Sequence, residues 1–248
     1  MPAFFCAFFV SNPVLTTISI ITFPPGLGVA RWALAQMALG PGQLKAVPGL
    51  RFFQLLGSGA ANGFGFRPNW RRYSLIATWT DEAAAEQFFA GHPFWAAYQQ
   101  RSLETWTAYL DPLQGHGAWY GTNPFAGGAA RAAAPTGPVA VLTRASIRLH
   151  RAWRFWRFVE PTSRAVAGAP GLQLAIGLGE LPLVRQATFS IWDSVAAMQQ
   201  YAYRHPAHRE VVQRTRQEGW YTEELFERFA VLRATGTIDG RQPGATLP

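Results

Sequence analysis

The chain repeats itself, and this duplication constrains the fold more than any single motif. A β-branched run from Val14 to Phe23 opens the first half, followed by an apolar helical pattern from about Gly28 to Leu39. Strand patterns then cover Arg51 to Leu56 and Tyr73 to Trp79, an Ala-rich helix runs from Asp81 to about Arg101, and Trp106 to Leu110 closes the half. The second half runs in the same order. Val139 to Arg148 reads as a strand, Ala152 to Ala167 as a helix, and a strand led by Pro170-Gly171-Leu172 ends in Gly177-Leu178-Gly179. Gln186 to Trp192, a long helix from Ser194 to Gly219 and a last strand from Phe226 to Thr235 complete it. Trp79 and Trp192 each close a third strand, and His92-Pro93 and His205-Pro206 lie at the same distance beyond them.

A β-α-β-β-α-β unit of this length forms a four-stranded antiparallel sheet with both helices on one face. Its other face stays bare unless a second sheet covers it. The expected fold is therefore α+β: two ferredoxin-like repeats packed as an intramolecular dimeric α+β barrel, with an internal cavity suited to an apolar ligand. The boundaries read as an extension over 1–12, a first repeat over 13–120 and a second over 139–240. A Gly-, Ala- and Pro-rich linker over 121–138 separates the repeats, and a tail covers 241–248.

Charge and cysteine content remove several function classes. Cys6 is the single cysteine, so an internal disulfide framework or a thiolate metal cluster is excluded. The net charge is +8, yet Lys45 is the only lysine, and no acidic residue precedes Asp81. Arg148, Arg151, Arg154 and Arg157 interleave with Trp153, Phe155, Trp156 and Phe158. No nucleic-acid-binding signature accompanies them, so the pattern reads as a membrane-surface helix or as Arg stems lying over a core. Met1 to Phe23 is apolar but lacks the basic start of a secretory signal, and no apolar run is long enough for a spanning helix. The expected location is cytoplasmic, in peripheral contact with a membrane.

The densest chemistry lies at Tyr203-Arg204-His205-Pro206-Ala207-His208. Pro206 suits the first turn of a new helix, which places His205 at or before its N-cap and His208 in the first turn. Trp95 occupies the position of His208 in the first half, so only the second half offers an imidazole there. One imidazole without Cys or a carboxylate pair is too little for zinc but enough for haem, whose porphyrin supplies four nitrogens. A helix-end histidine with no ligand is the other reading. Gly57-Ser58-Gly59 reads as a hairpin with positive φ angles, because it opens no helix. Glu223 and Glu224 with Arg228 read as a solvated helix face.

Longer strings carry a resemblance. Arg31-Trp32-Ala33, Gly63-Phe64, Pro68-Asn69, Phe155-Trp156-Arg157, Gly177-Leu178-Gly179-Glu180, the QATFSIW string from Gln186 to Trp192 and the EELFERF string from Glu223 to Phe229 resemble the spheroidene monooxygenases of purple-bacterial carotenoid biosynthesis. The resemblance implies an oxygenase that introduces keto groups into acyclic carotenoids, using O2, reduced ferredoxin and a bound haem. It makes His208 the first candidate for the iron ligand and His205 the second, with Gln186 and Trp192 beside the haem. Trp32, Phe64 and Trp156 become candidate substrate contacts. Two alternatives keep the barrel: a cofactor-independent monooxygenase, and a non-catalytic carotenoid or haem carrier at the membrane surface.

Overall fold

The computed structural model describes residues 15–59, 68–126, 136–157, 166, 168–181, 184–204, 214–215 and 217–245. Its first half contains strand β1 (Leu15–Thr22), helix α1 (Leu27–Leu44), β2 (Leu50–Gly59), β3 (Pro68–Trp79), α2 (Glu82–Gly91), α3 (Pro93–Gln99) and β4 (Glu104–Gly117). The second half contains β5 (Val139–Ile147), helical residues 152–157, β6 (Leu172–Leu181), β7 (Arg185–Trp192), α4 (Val195–Arg204) and β8 (Tyr221–Gly236).

All eight strands form one closed antiparallel barrel in the order β1-β3-β2-β6-β7-β5-β8-β4. Within the halves the orders are β4-β1-β3-β2 and β8-β5-β7-β6, so the second half repeats the pairing of the first. The seams between the halves are unequal. β4 pairs with β8 from Trp106↔Gly236 to Gly117↔Leu225, whereas β2 meets β6 only at Gly57↔Gly179 and Ser58↔Leu178.

Strand alternation sends one set of side chains into the barrel and the other toward the helices. Ile18, Leu56, Ile76, Trp106, Phe189 and Phe229 are buried in the barrel, which is filled by its own side chains. Large apolar residues from both halves meet across the centre, where the sequence predicts an internal cavity.

After β4 and after β8 the chain makes the same hairpin. Trp119 bridges to Thr122 around Tyr120 and Gly121, and Ile238 bridges to Arg241 around Asp239 and Gly240. All four turn residues have positive φ (55° and 81°, 52° and 70°), the signature of a type I′ turn. Trp119 and Phe125 plug the barrel from one hairpin. From the other, Ile238 packs into the core and the Pro243 carbonyl accepts a 3.0 Å hydrogen bond from Trp106 Nε1. Gly121 and Thr122 are exposed, but Phe125 just beyond them is buried and meets Phe229 edge-on at 5.2 Å.

The helix expected over Asp81–Arg101 is two helices. His92 ends α2 and caps α3, its Nδ1 accepting from Phe94 N at 3.3 Å, with Pro93 as the first residue of α3.

Candidate functional site

The two helix-facing sides of the barrel differ, and the difference locates a site. In the first half one row across the sheet reads Leu55, Leu75, Ser19, Thr107, and the next reads Phe53, Ala77, Thr17, Tyr109. In the second half the equivalent rows read Gly177, Thr188, Thr143, Phe226 and Ala175, Ser190, Val141, Arg228. Two leucines become Gly and Thr, and a Phe becomes Ala. A third row exchanges Tyr73 for Gln186.

The packing follows these exchanges. Above the first sheet a single continuous cluster runs from Trp79 and Phe88 through Phe94, Trp95 and Tyr98 to Leu55 and Leu75. Above the second sheet the described residues form two separate clusters, one around Ile147, Phe155 and Trp220 and the other around Val139, Trp192 and Met198. Thr188, on a central strand, is exposed, whereas its counterpart Leu75 is buried. Between the two clusters the sheet offers a floor of small side chains, with Gly177 buried, Ala175 half-buried and Thr188 exposed. The Nε of Arg228 at its edge is buried and has no hydrogen-bond partner among the described residues.

The expected site residues distribute unevenly about this floor. Gln186 and Trp192 lie on one of its strands, on the same face as Thr188 and Ser190, and Trp192 Nε1 donates to Ser190 Oγ at 2.9 Å. Trp192 also stacks on Tyr201 of α4 at 5.3 Å, and burial pushes the Tyr201 hydroxyl up to about 12. Trp156 belongs to the bordering cluster and meets Phe155 edge-on. Trp32 lies above the other sheet, against Phe23 and Tyr98 and under the Arg101 guanidinium. The structure thus brings Gln186, Trp192 and Trp156 to one layer and leaves Trp32 in the other. His205, His208 and Phe64 lie outside the described residues.

A second polar feature, not anticipated from the sequence, lies inside one end of the barrel. Arg144, 1% exposed, donates from Nε to Glu180 Oε1 at 3.1 Å and pairs through Nη1 with Glu223. Its guanidinium also lies over the rings of Trp119 and Tyr120. Glu223 accepts from the Tyr120 and Gly121 amides at 3.2 and 2.8 Å, so it holds the turn of the first plug. Burial pushes the Glu223 carboxyl up, but these amides and Arg144 outweigh burial and hold it below its usual range. Glu223 and Glu224 therefore stand on β8 and not on a solvated helix, because the strand begins at Tyr221 and alternates from there. The equivalent of Arg144 in the first half is the apolar Ile20, and that of Glu227 is Ala108, so the charge belongs to one half only.

Glu227 is 3% exposed, and burial pushes its carboxyl up to about 7 against a hydrogen bond with Asn123 that pulls it down. A folded-state value above the unfolded one gives stability that is full at acidic pH and lost as pH rises through about 7. Glu227→Gln is expected to stabilise the protein at pH 8 by at most about 3 kcal/mol and to change little at pH 5. Urea denaturation at the two pH values measures this, and equal differences at both would refute it.

Comparisons with known proteins agree with the fold and extend it. No protein-family model matches the sequence. The solved structure of an aldoxime dehydratase superposes with a TM-score of 0.60 at 12% identity, over 89% of this chain and 82% of that one, a likeness of fold alone. In sequence, the spheroidene monooxygenase of Rhodobacter capsulatus is 38% identical over 94% of this chain and 96% of its own length. That of Rubrivivax gelatinosus is 39% identical over 86% of this chain and 81% of its own length. Similarity at this level across both halves, with the duplicated barrel intact, makes the chain a member of the spheroidene monooxygenase family.

Proposed function

We propose that the chain is a haem-dependent monooxygenase that introduces keto groups into an acyclic carotenoid of the spheroidene type, with O2 as oxidant and reduced ferredoxin as electron donor. The observation that carries this reading is the floor of small side chains on the second sheet, where Gly177, Ala175 and Thr188 replace the Leu55, Phe53 and Leu75 that pack under the first sheet's helices. The shared strand order of the halves supports taking each as a ferredoxin-like repeat.

A planar macrocycle with two carboxylates would be held by small side chains beneath it, an iron ligand and a cation, and the small side chains and the cation are present here. Small side chains provide the floor. Arg228 provides a buried N–H with no partner among the described residues, suited to a carboxylate. Trp95, the repeat counterpart of His208, is buried in the layer between helices and sheet. That burial supports His208 as the residue that would hold the haem iron, with His205 the second candidate. When bound, haem supplies the activation of dioxygen. The chain's own contribution is positioning and dryness: Trp192 and Met198 border one side of the floor, Phe155 and Trp156 the other. Such walls suit an uncharged polyene and keep water from the reacting carbon. The cationic surplus of the chain steers an acidic ferredoxin toward it.

Purified protein titrated with haem is expected to give a Soret band that His208→Ala shifts or abolishes. Expression in a spheroidene- or lycopene-producing host should yield a ketocarotenoid. Absence of a Soret band together with a keto product would favour cofactor-independent chemistry, and bound pigment without a keto product would favour a carrier.

A further inference from the structure

Helix α1 turns an apolar face to solvent. Leu27, Leu34 and Leu39 are 85, 50 and 62% exposed, and Ala35, Ala38 and Gly42 are exposed beside them. At 100° per residue these positions fall on one side of the helix, opposite the buried Ala33, Gly40 and Leu44 that dock it on the sheet. Solvent-facing helix positions ordinarily carry Lys, Glu or Gln, and here the single charge on the face is Arg31.

The charge around the face has one sign. Arg31, Lys45 and Arg101 are exposed, and the chain has no acidic residue before Asp81. The acids that follow on α2 are engaged: Asp81 accepts from Ala84 N, and Glu82 and Glu86 pair with Arg233 at 3.0 and 2.9 Å. No described helix is long and apolar enough to cross a membrane, so a surface contact is the form available to α1. A second copy is the poorer occupant. A two-fold contact centred on this face would bury two copies of Arg31 with no carboxylate on the helix to pair them.

We propose that the outer face of α1, flanked by Arg31, Lys45 and Arg101, docks the protein on an anionic lipid surface, with the leucines inserted below the headgroups. The proposal rests on the carotenoid reading only for its purpose, which is access to a substrate that resides in lipid.

Cosedimentation of the full chain with phosphatidylglycerol–phosphatidylethanolamine vesicles tests it. Binding is expected to weaken at least tenfold for the double variant Leu34→Glu/Leu39→Glu, and also on replacing phosphatidylglycerol with phosphatidylcholine or raising salt. Leu232→Glu, at an exposed leucine on β8, should bind as the parent does. Equal binding by parent and double variant overturns the proposal. So does a dimer in light scattering that the double variant converts to monomer while the parent ignores vesicles. The double variant should still take up haem and oxidise carotenoid presented in detergent micelles. Loss of vesicle binding with that activity kept separates this surface from the active-site reading, and vesicle binding by a chain inactive in micelles would sink the latter alone.

Discussion

Restoring the first half's leucines to the second, as Gly177→Leu with Thr188→Leu, is expected to weaken haem uptake by at least about 100-fold, a loss of roughly 3 kcal/mol. The same change should raise the melting temperature. Both effects follow from one volume. Leu55 and Leu75 pack the first helix-sheet layer, and their counterparts Gly177 and Thr188 are smaller. Two leucines there would occupy the floor and gain about 1–2 kcal/mol each as the layer collapses over them. A Soret titration and a thermal melt read the two effects separately. Thr188→Val keeps the volume and is expected to leave uptake nearly unchanged. Unaltered haem uptake in the double leucine variant would exclude this floor from the proposed haem site.

Arg144→Leu carries the largest expected stability loss, about 3–5 kcal/mol, which for a chain of this size corresponds to a fall of roughly 6–15 °C in melting temperature. Glu180, with a side chain 5% exposed, would be left buried without its cation, and Glu223 would lose one of three partners on the plug turn. The cost belongs to the stranded carboxylates rather than to the pair itself. Adding Glu180→Gln in the same chain should therefore recover part of the loss, and the defect should shrink at pH 5, where a stranded carboxyl takes up a proton. Thermal melts of the three chains at two pH values decide it. A deficit unchanged by either remedy would mean that Arg144 acts through packing on Trp119 and Tyr120 alone.

The duplicated element order was readable because β-branched runs, paired Trp residues and the two His-Pro steps survive in both halves. The break at His92 was readable only by analogy with His205, since Phe88, Phe94 and Trp95 pack across it and disguise two short helices as one. The plug hairpins went unrecognised although Tyr120-Gly121 and Asp239-Gly240 are both turn-forming pairs at equivalent places. Gly and Pro surround the first pair, and burial of Trp119 and Phe125 marks the hairpin as part of the core. Arg144, Glu180 and Glu227 were hidden for another reason. Each occupies an inward strand position where alternation calls for an apolar residue, so the pattern reads as an interruption unless the strands are already assembled. The bare floor was legible in principle: laying the halves side by side sets Gly177 against Leu55 and Thr188 against Leu75, an exchange invisible within either strand alone.

The hairpins after β4 and β8 are held crosswise. The first half's turn at Tyr120 and Gly121 is gripped by Glu223 of the second half. The second half's turn at Asp239 and Gly240 is gripped by Glu104 and Arg72 of the first. Each half thus supplies the stopper for a vessel that the other half helps to build. Neither is a finished object by itself, and the duplication has become a mutual dependence: a lesion in one copy is felt in the closure of both.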